Sequence, residues 1–228
     1  ASLALNYFDN YLRASYIYRG SEYQSFGQSF LRTDVRGINL MDRVRLLDNQ
    51  LFVTLSYERL QDNLQKIKLA TTTFQTFNSS VSYMPRIDFP SLTVGYLRIN
   101  NKNDLSITNP DSLLRMNAID DITNRLLFQV SYGFNLYVNH QASLSFTNSV
   151  RDDNSLRNLT AKTNTVMLTL NTRWQQSLNS YFNLNINTSD IAGKKYDYVT
   201  LSVGGRYRLL DNALELSAGI SPSFGDFE

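Results

Sequence analysis

Val35 to Arg59 reads VRGINLMDRVRLLDNQLFVTLSYER, two alternating runs around a tight turn at Asp48-Asn49. On the first arm Ile38, Leu40, Val44 and Leu46 fall on one face, with Asn39, Met41, Arg43 and Arg45 on the other. On the second arm Leu51, Val53, Leu55 and Tyr57 share a face, opposite Phe52, Thr54, Ser56 and Glu58. Side chains in a strand project alternately to the two sides, so each arm has one greasy face and one mostly polar face. Asp and Asn tolerate the backbone of a short hairpin connection, which holds the two greasy faces together. The module recurs. RLLDNQL at 45–51 is echoed by RLLDNAL at 208–214, and more loosely by Phe8-Asp9-Asn10-Tyr11-Leu12. The chain reads as a repetition of that hairpin.

Working outward, the same alternation appears on both sides. Before it, Leu3, Leu5 and Tyr7 turn at Asp9-Asn10 into Leu12, Ala14, Tyr16 and Tyr18, opposite Arg13, Ser15, Ile17 and Arg19. After it come a Thr-rich run from Ile67 to Tyr83 with blurred alternation, a Pro-containing turn from Met84 to Ser91, and a strand opening on Leu92, Val94 and Tyr96. In the second half Leu126, Phe128, Val130 and Tyr132 pair with Ala142, Leu144 and Phe146 around a turn at Asn135 to His140. Val166, Leu168 and Leu170 pair with Phe182, Leu184 and Ile186 around Gln175 to Ser180. Val199, Leu201, Val203 and Tyr207 pair with Leu214, Leu216, Ala218 and Ile220. Longer polar connections lie between these hairpins, at Gly20 to Asp34, Gln61 to Gln65, Asn100 to Ala118, Arg151 to Asn158 and Ser189 to Lys195. This predicts about twelve strands of about ten residues, no helical period, and one domain over 1–228.

Composition narrows the class. A formal net charge of +2 argues against an electrostatically driven nucleic-acid binder. There is no cysteine, hence no disulfide framework and no thiol or Cys-metal chemistry. No apolar run is long enough for a transmembrane helix.

Short turns at one end, long polar loops at the other and strands greasy on one face resemble a bacterial outer-membrane β-barrel. The RLLDNxL turns, Tyr-rich strands and Asn-rich loops are similar to those of outer-membrane proteins of the Bacteroidota and related lineages. The resemblance implies an all-β, antiparallel up-and-down transmembrane barrel located in the outer membrane of a Gram-negative cell. In lipid every backbone amide must be paired, and a closed barrel does that without edges. The competing fold is a soluble barrel with the greasy faces inside. Polar faces rich in Ser, Thr and Asn rather than Lys and Glu favour the membrane form, with Leu40, Val44, Leu46, Val53, Leu55, Leu168, Leu184 and Leu216 toward lipid. With loops outside, an even strand count would place both ends of the chain outside. Together with a start at Ala1 rather than Met, this leads to the expectation of a processed chain or fragment lacking a flanking strand at each end, in a barrel of about fourteen.

Catalysis finds little support. His140, the sole histidine, reads as a solvated turn residue. Asp120-Asp121 and Asp152-Asp153 lack a ligand-spaced third carboxylate, so they read as loop charge rather than a cation site. Phosphate-binding glycine signatures are absent, and no cofactor or metal is expected. The polar faces say more. Arg13, Arg19, Arg43, Arg45, Arg125, Arg173, Arg206 and Arg208 should point into the lumen, with Glu58 and Glu215 the chief inward acids. Rings of Arg bias a pore toward anions, although in a narrow barrel the same groups can stiffen the wall. Two functions follow: a passive channel or porin for small polar solutes, anions among them, or a structural barrel whose long loops anchor a protein partner. Outer-membrane lipid is the surrounding partner in both, and nucleic acid in neither.

Overall fold

The computed structural model describes residues 1–23, 31–86, 88–156, 158–175, 177–209 and 214–227. Its strands are β1 (Ser2–Tyr7), β2 (Asn10–Arg19), β3 (Val35–Leu46), β4 (Leu51–Gln61), β5 (Thr72–Tyr83) and β6 (Ser91–Asn103), then β7 (Asp120–Leu136) and β8 (Val138–Asp153). They continue with β9 (Ala161–Arg173), β10 (Leu178–Ile191), β11 (Lys194–Leu209), β12 (Leu214–Ile220) and β13 (Ser223–Phe227). All belong to one antiparallel sheet in which each strand pairs with the next, from β1 through β12. β13 pairs with β11 and continues the line of β12: Val203 faces Ile220 and Thr200 faces Ser223 at one constant offset. Pro222 interrupts that line because it has no N–H to give the ladder, although its carbonyl still accepts from the Leu201 N–H at 3.0 Å. The sheet therefore has the twelve lines of chain that the alternation predicts. The pairing path ends at β1 on one side and at β12 and β13 on the other.

Turn chemistry fixes the register. Phe8 and Asp9 both take positive φ (42° and 64°), as do Leu47, Asp48 and Asn49 (53°, 51° and 64°). These left-handed conformations follow the twist of the flanking strands, and Asp and Asn adopt them at low cost. The second LLDN turn, at 210–213, lies outside the described residues. Several boundaries differ from the alternation reading. The expected loop at Ser189 to Lys195 is strand except for Ala192 and Gly193, and the turn expected at Asn135 to His140 contracts to Tyr137. Strand pairing continues past the point where polar side chains appear, because a ladder needs backbone groups rather than apolar ones. The short-turn end also contains a seven-residue connection, 84–90. One helical turn, α1 (Ser112–Met116), forms in the connection after β6, capped by Asp111, whose Oδ1 accepts from the Leu113 N–H at 2.8 Å.

The register collects every greasy run on one face. Leu46, Leu51, Tyr83, Leu92, Val130, Leu144, Leu168, Leu184 and Leu201 are successive partners across β3 to β11. One residue away, Phe52, Ser82, Thr93, Gln129, Ser145, Met167, Asn185 and Thr200 form the matching row of the polar face. The apolar face is the more open one: Leu40, Leu55, Leu144 and Leu216 are all exposed, while most polar-face side chains are half-buried. Among the described residues the buried hydrophobics are only Val35, Leu60 and Ala118. Buried polar groups instead organise the long-connection end. Asn63 bonds the backbone of Lys68 and Ala70, Asn103 that of Leu105, Asn117 and Ile119, and Asp153 that of Ser155 and Leu159. Each ties a connection to its strand root, satisfying amides that would otherwise be orphaned.

Candidate functional site on the polar face

The same register carries Arg13, Arg19, Arg43, Arg45, Arg125, Arg173, Arg206, Arg208, Glu58 and Glu215 to the polar face. It does not gather them all. Arg43 and Arg45 on β3 stand eight strand positions from Arg206 and Arg208 on β11, so the two turn-proximal pairs are not neighbours in the sheet. Arg13 donates to Ser15 Oγ at 3.2 Å, Arg19 to the Arg32 carbonyl at 3.3 Å, and Glu58 accepts from Asn39 at 3.2 Å.

The residues that meet are on β9 to β12. Arg173 faces Asn179 on β10, and Asn179 faces Arg206 on β11. With strands about 4.8 Å apart, the two arginines originate about 10 Å from each other across one asparagine. They line a cavity of about 500 Å³ near the short-turn end, together with Gln141, Asn171, Asn179 and Tyr181. Glu215 accepts from Arg206 Nε at 3.1 Å and from Arg208 Nε at 3.2 Å. One carboxylate thus serves two guanidinium groups, and among the described residues Arg173 has no acid partner. The cluster retains a surplus of two positive charges, set among amides and hydroxyls that can donate hydrogen bonds.

Tyr181 forms one wall by a specific fit. Gly204 lies directly opposite it on β11, and a methyl group there would run into the phenol ring. A methyl at Gly219 on β12 would stand 2.6 Å from the Tyr181 hydroxyl oxygen. Two glycines on adjacent strands therefore open the space in which the ring lies flat. Neither Tyr181 nor the amides of Gln141, Asn171 and Asn179 were singled out from the sequence. Aligning the β9–β10 hairpin about its turn, so that Arg173 meets Asn179, is the signal that would have found them.

His140, Asp120 and Asp121 are instead committed to structure. His140 is not a turn residue: it sits in β8 on the apolar face, stacked on Phe134 at 4.9 Å between centroids, with Nδ1 2.9 Å from Thr172 Oγ1. Asp120 pairs with Lys102 at 2.8 Å and Asp121 with Arg151 at 3.2 Å. Among the described residues no group of three potential metal-ligating side chains forms. Comparison of the chain with protein-family models, curated proteins and solved structures finds no match.

Proposed function

We propose that this chain is a transmembrane β-barrel of a bacterial outer membrane that passes small polar solutes, with a mild preference for anions. The observation that carries the reading is the apolar face, greasy and exposed across the sheet and backed by a polar one. A patch of that extent is unfavourable in water and complementary to lipid. Its height agrees. On β7 the greasy face runs from Leu126 to Leu136, ten residue steps. That is about 34 Å of strand, or about 26 Å at a tilt of about 40°, against a hydrocarbon band of about 25 Å.

The anion preference rests on Arg173, Arg206 and Arg208 with the single Glu215. Current through a planar bilayer under a salt gradient tests both halves. The expected result is a reversal potential favouring anions, moving toward cations in an Arg173→Ala, Arg206→Ala, Arg208→Ala variant that leaves Glu215 unopposed. The effect should be modest, because these groups are wet and salt screens them over about 8 Å. The buried Asn63, Asn103 and Asp153 that fasten the long connections favour a second reading, an anchoring barrel that presents preformed loops to a protein partner. Absence of current from correctly inserted protein would leave that reading in place of the channel.

A further inference from the structure

The apolar face carries charge at one place that its alternation does not explain. Toward the long-connection end of β3 to β6, Arg36, Arg59, Arg98 and Lys102 all lie on the greasy side. Arg59, Gln75 and Asn100 form one row of partners, and Arg36, Gln61, Thr73 and Lys102 the row beyond it. The row nearer the middle of the strands holds Tyr57, Phe77 and Arg98 in register, and Phe77 lies 6.2 Å between ring centroids from Tyr96, one row further in. Aromatic side chains on a lipid-facing surface settle at the level of the headgroups. Arg98 is therefore level with the aromatic side chains, and Arg36, Arg59 and Lys102 stand just outside them, where long Arg and Lys side chains extend toward polar headgroups.

Two observations separate this patch from a general basic rim. First, the rest of the same rim is balanced or acidic. Asp152, Asp190 and Asp197 accompany Lys162 and Lys195 there, and Asp190 faces both lysines in register. Second, the patch is concave. Arg59, Lys102, Gln61, Thr73 and Gln75 line a cavity of about 400 Å³ whose one acid is Asp104. Lys102 is paired with Asp120, but among the described residues Arg36, Arg59 and Arg98 have no acid partner.

We propose that this concavity binds the phosphate of an anionic lipid in the leaflet on the long-connection side. Arg59 and Lys102 flank β5 from either side and grip the phosphate, while Gln61, Thr73 and Gln75 offer hydrogen bonds to the polar groups that adjoin it. The inference rests on the membrane reading above and adds a specific lipid site to it.

The test uses the protein in nanodiscs of phosphatidylcholine containing a minor fraction of phosphatidic acid, with retained lipid counted by native mass spectrometry. The wild type should retain phosphatidic acid, and Arg59→Gln, Lys102→Gln should lose it by roughly tenfold or more for two charges removed. Arg59→Lys, which keeps the charge, should retain most of it, as should Lys162→Gln, Lys195→Gln on the balanced side of the rim. Equal retention in all variants, or equal loss in the Lys162, Lys195 control, overturns the site. Displacement of the lipid by millimolar inorganic phosphate would also overturn it, in favour of a free-anion site. A chain that will not insert into nanodiscs at all sinks the membrane reading itself, a failure distinct from insertion without lipid retention.

Discussion

Leu168→Arg, set against Thr169→Arg, tests the proposal that the apolar face meets lipid. The two sites are adjacent on β9 and differ in what surrounds them. Leu168 lies between Leu144 and Leu184 in register, whereas Thr169 lies between Ser143 and Asn183. On the apolar face of β9, Leu168 is central, with Asn164 and Val166 toward the long connections and Leu170 and Thr172 toward the turn. Its 38% exposure makes it a side chain in contact with whatever covers that face. Losing that share of a leucine's transfer energy costs about 0.6–1 kcal/mol. With the charge included, Arg near the midplane of a barrel costs about 2–4 kcal/mol, roughly 30- to 1000-fold in the folding equilibrium. Arg in place of Thr169 enters a polar row and should cost under about 0.5 kcal/mol. Trp174, the one tryptophan, reports on this hairpin, its indole N–H donating to Ser180 Oγ at 2.9 Å. Urea titration of the protein in phosphatidylcholine vesicles, followed by Trp174 fluorescence, should move the Leu168→Arg midpoint down by about 1–2 M while leaving Thr169→Arg close to wild type. Equal midpoints, a larger loss in Thr169→Arg, or full native structure in water without vesicles would refute the assignment.

Three further outcomes are expected. Gly204→Ala should destabilise by about 1–3 kcal/mol because its methyl displaces the Tyr181 ring, and Tyr181→Ala should relieve part of that loss in a double-mutant cycle read by the same titration. Tyr7 donates to both oxygens of Asp42 (2.9 and 3.1 Å) on the apolar face, so Tyr7→Phe should lower the urea midpoint, whereas Tyr7→Phe with Asp42→Leu should restore it in vesicle unfolding. In the connection after β4, the hydrogen bond to Asp62 raises the Lys68 amine pKa; its contribution to loop order is then complete below the free-amine value of about 10.5 and fades as pH climbs through the raised one. Hydrogen exchange of residues 62–71 should show that loosening in the wild type and not in Lys68→Met.

The strands were legible because their signal is local. Alternation such as Leu51, Val53, Leu55 and Tyr57 needs no knowledge of partners, and the turn residues Asp48 and Asn49 announce their own left-handed backbone. The same local rule misjudged ends. It stopped β10 near Ser189 where polar residues begin, yet Ser189, Asp190 and Ile191 continue to pair with β11. It also passed over Asp42, Arg59 and Arg98, charged residues that occupy greasy positions by parity. Asp42 becomes intelligible only once Tyr7 arrives from β1, and Arg59 only once Lys102 arrives from β6.

The polar-face cavity depends on a quantity that no single strand encodes, the offset between β9 and β10. Arg173 reaches Asn179, and through it Arg206, because the register of β9, β10 and β11 sets the three in one row. A slip of one residue there would turn β10 over, sending Asn183, Asn185 and Asn187 to the greasy side and Phe182, Leu184 and Ile186 to the polar side. The apolar match of Leu168 with Leu184 and Val166 with Ile186 opposes that slip at every second rung. The same side chains that make up the apolar face therefore also hold the arginines of the opposite face in line. A substitution on the apolar side of β10 that loosens this match should disturb the arginine cluster without touching it.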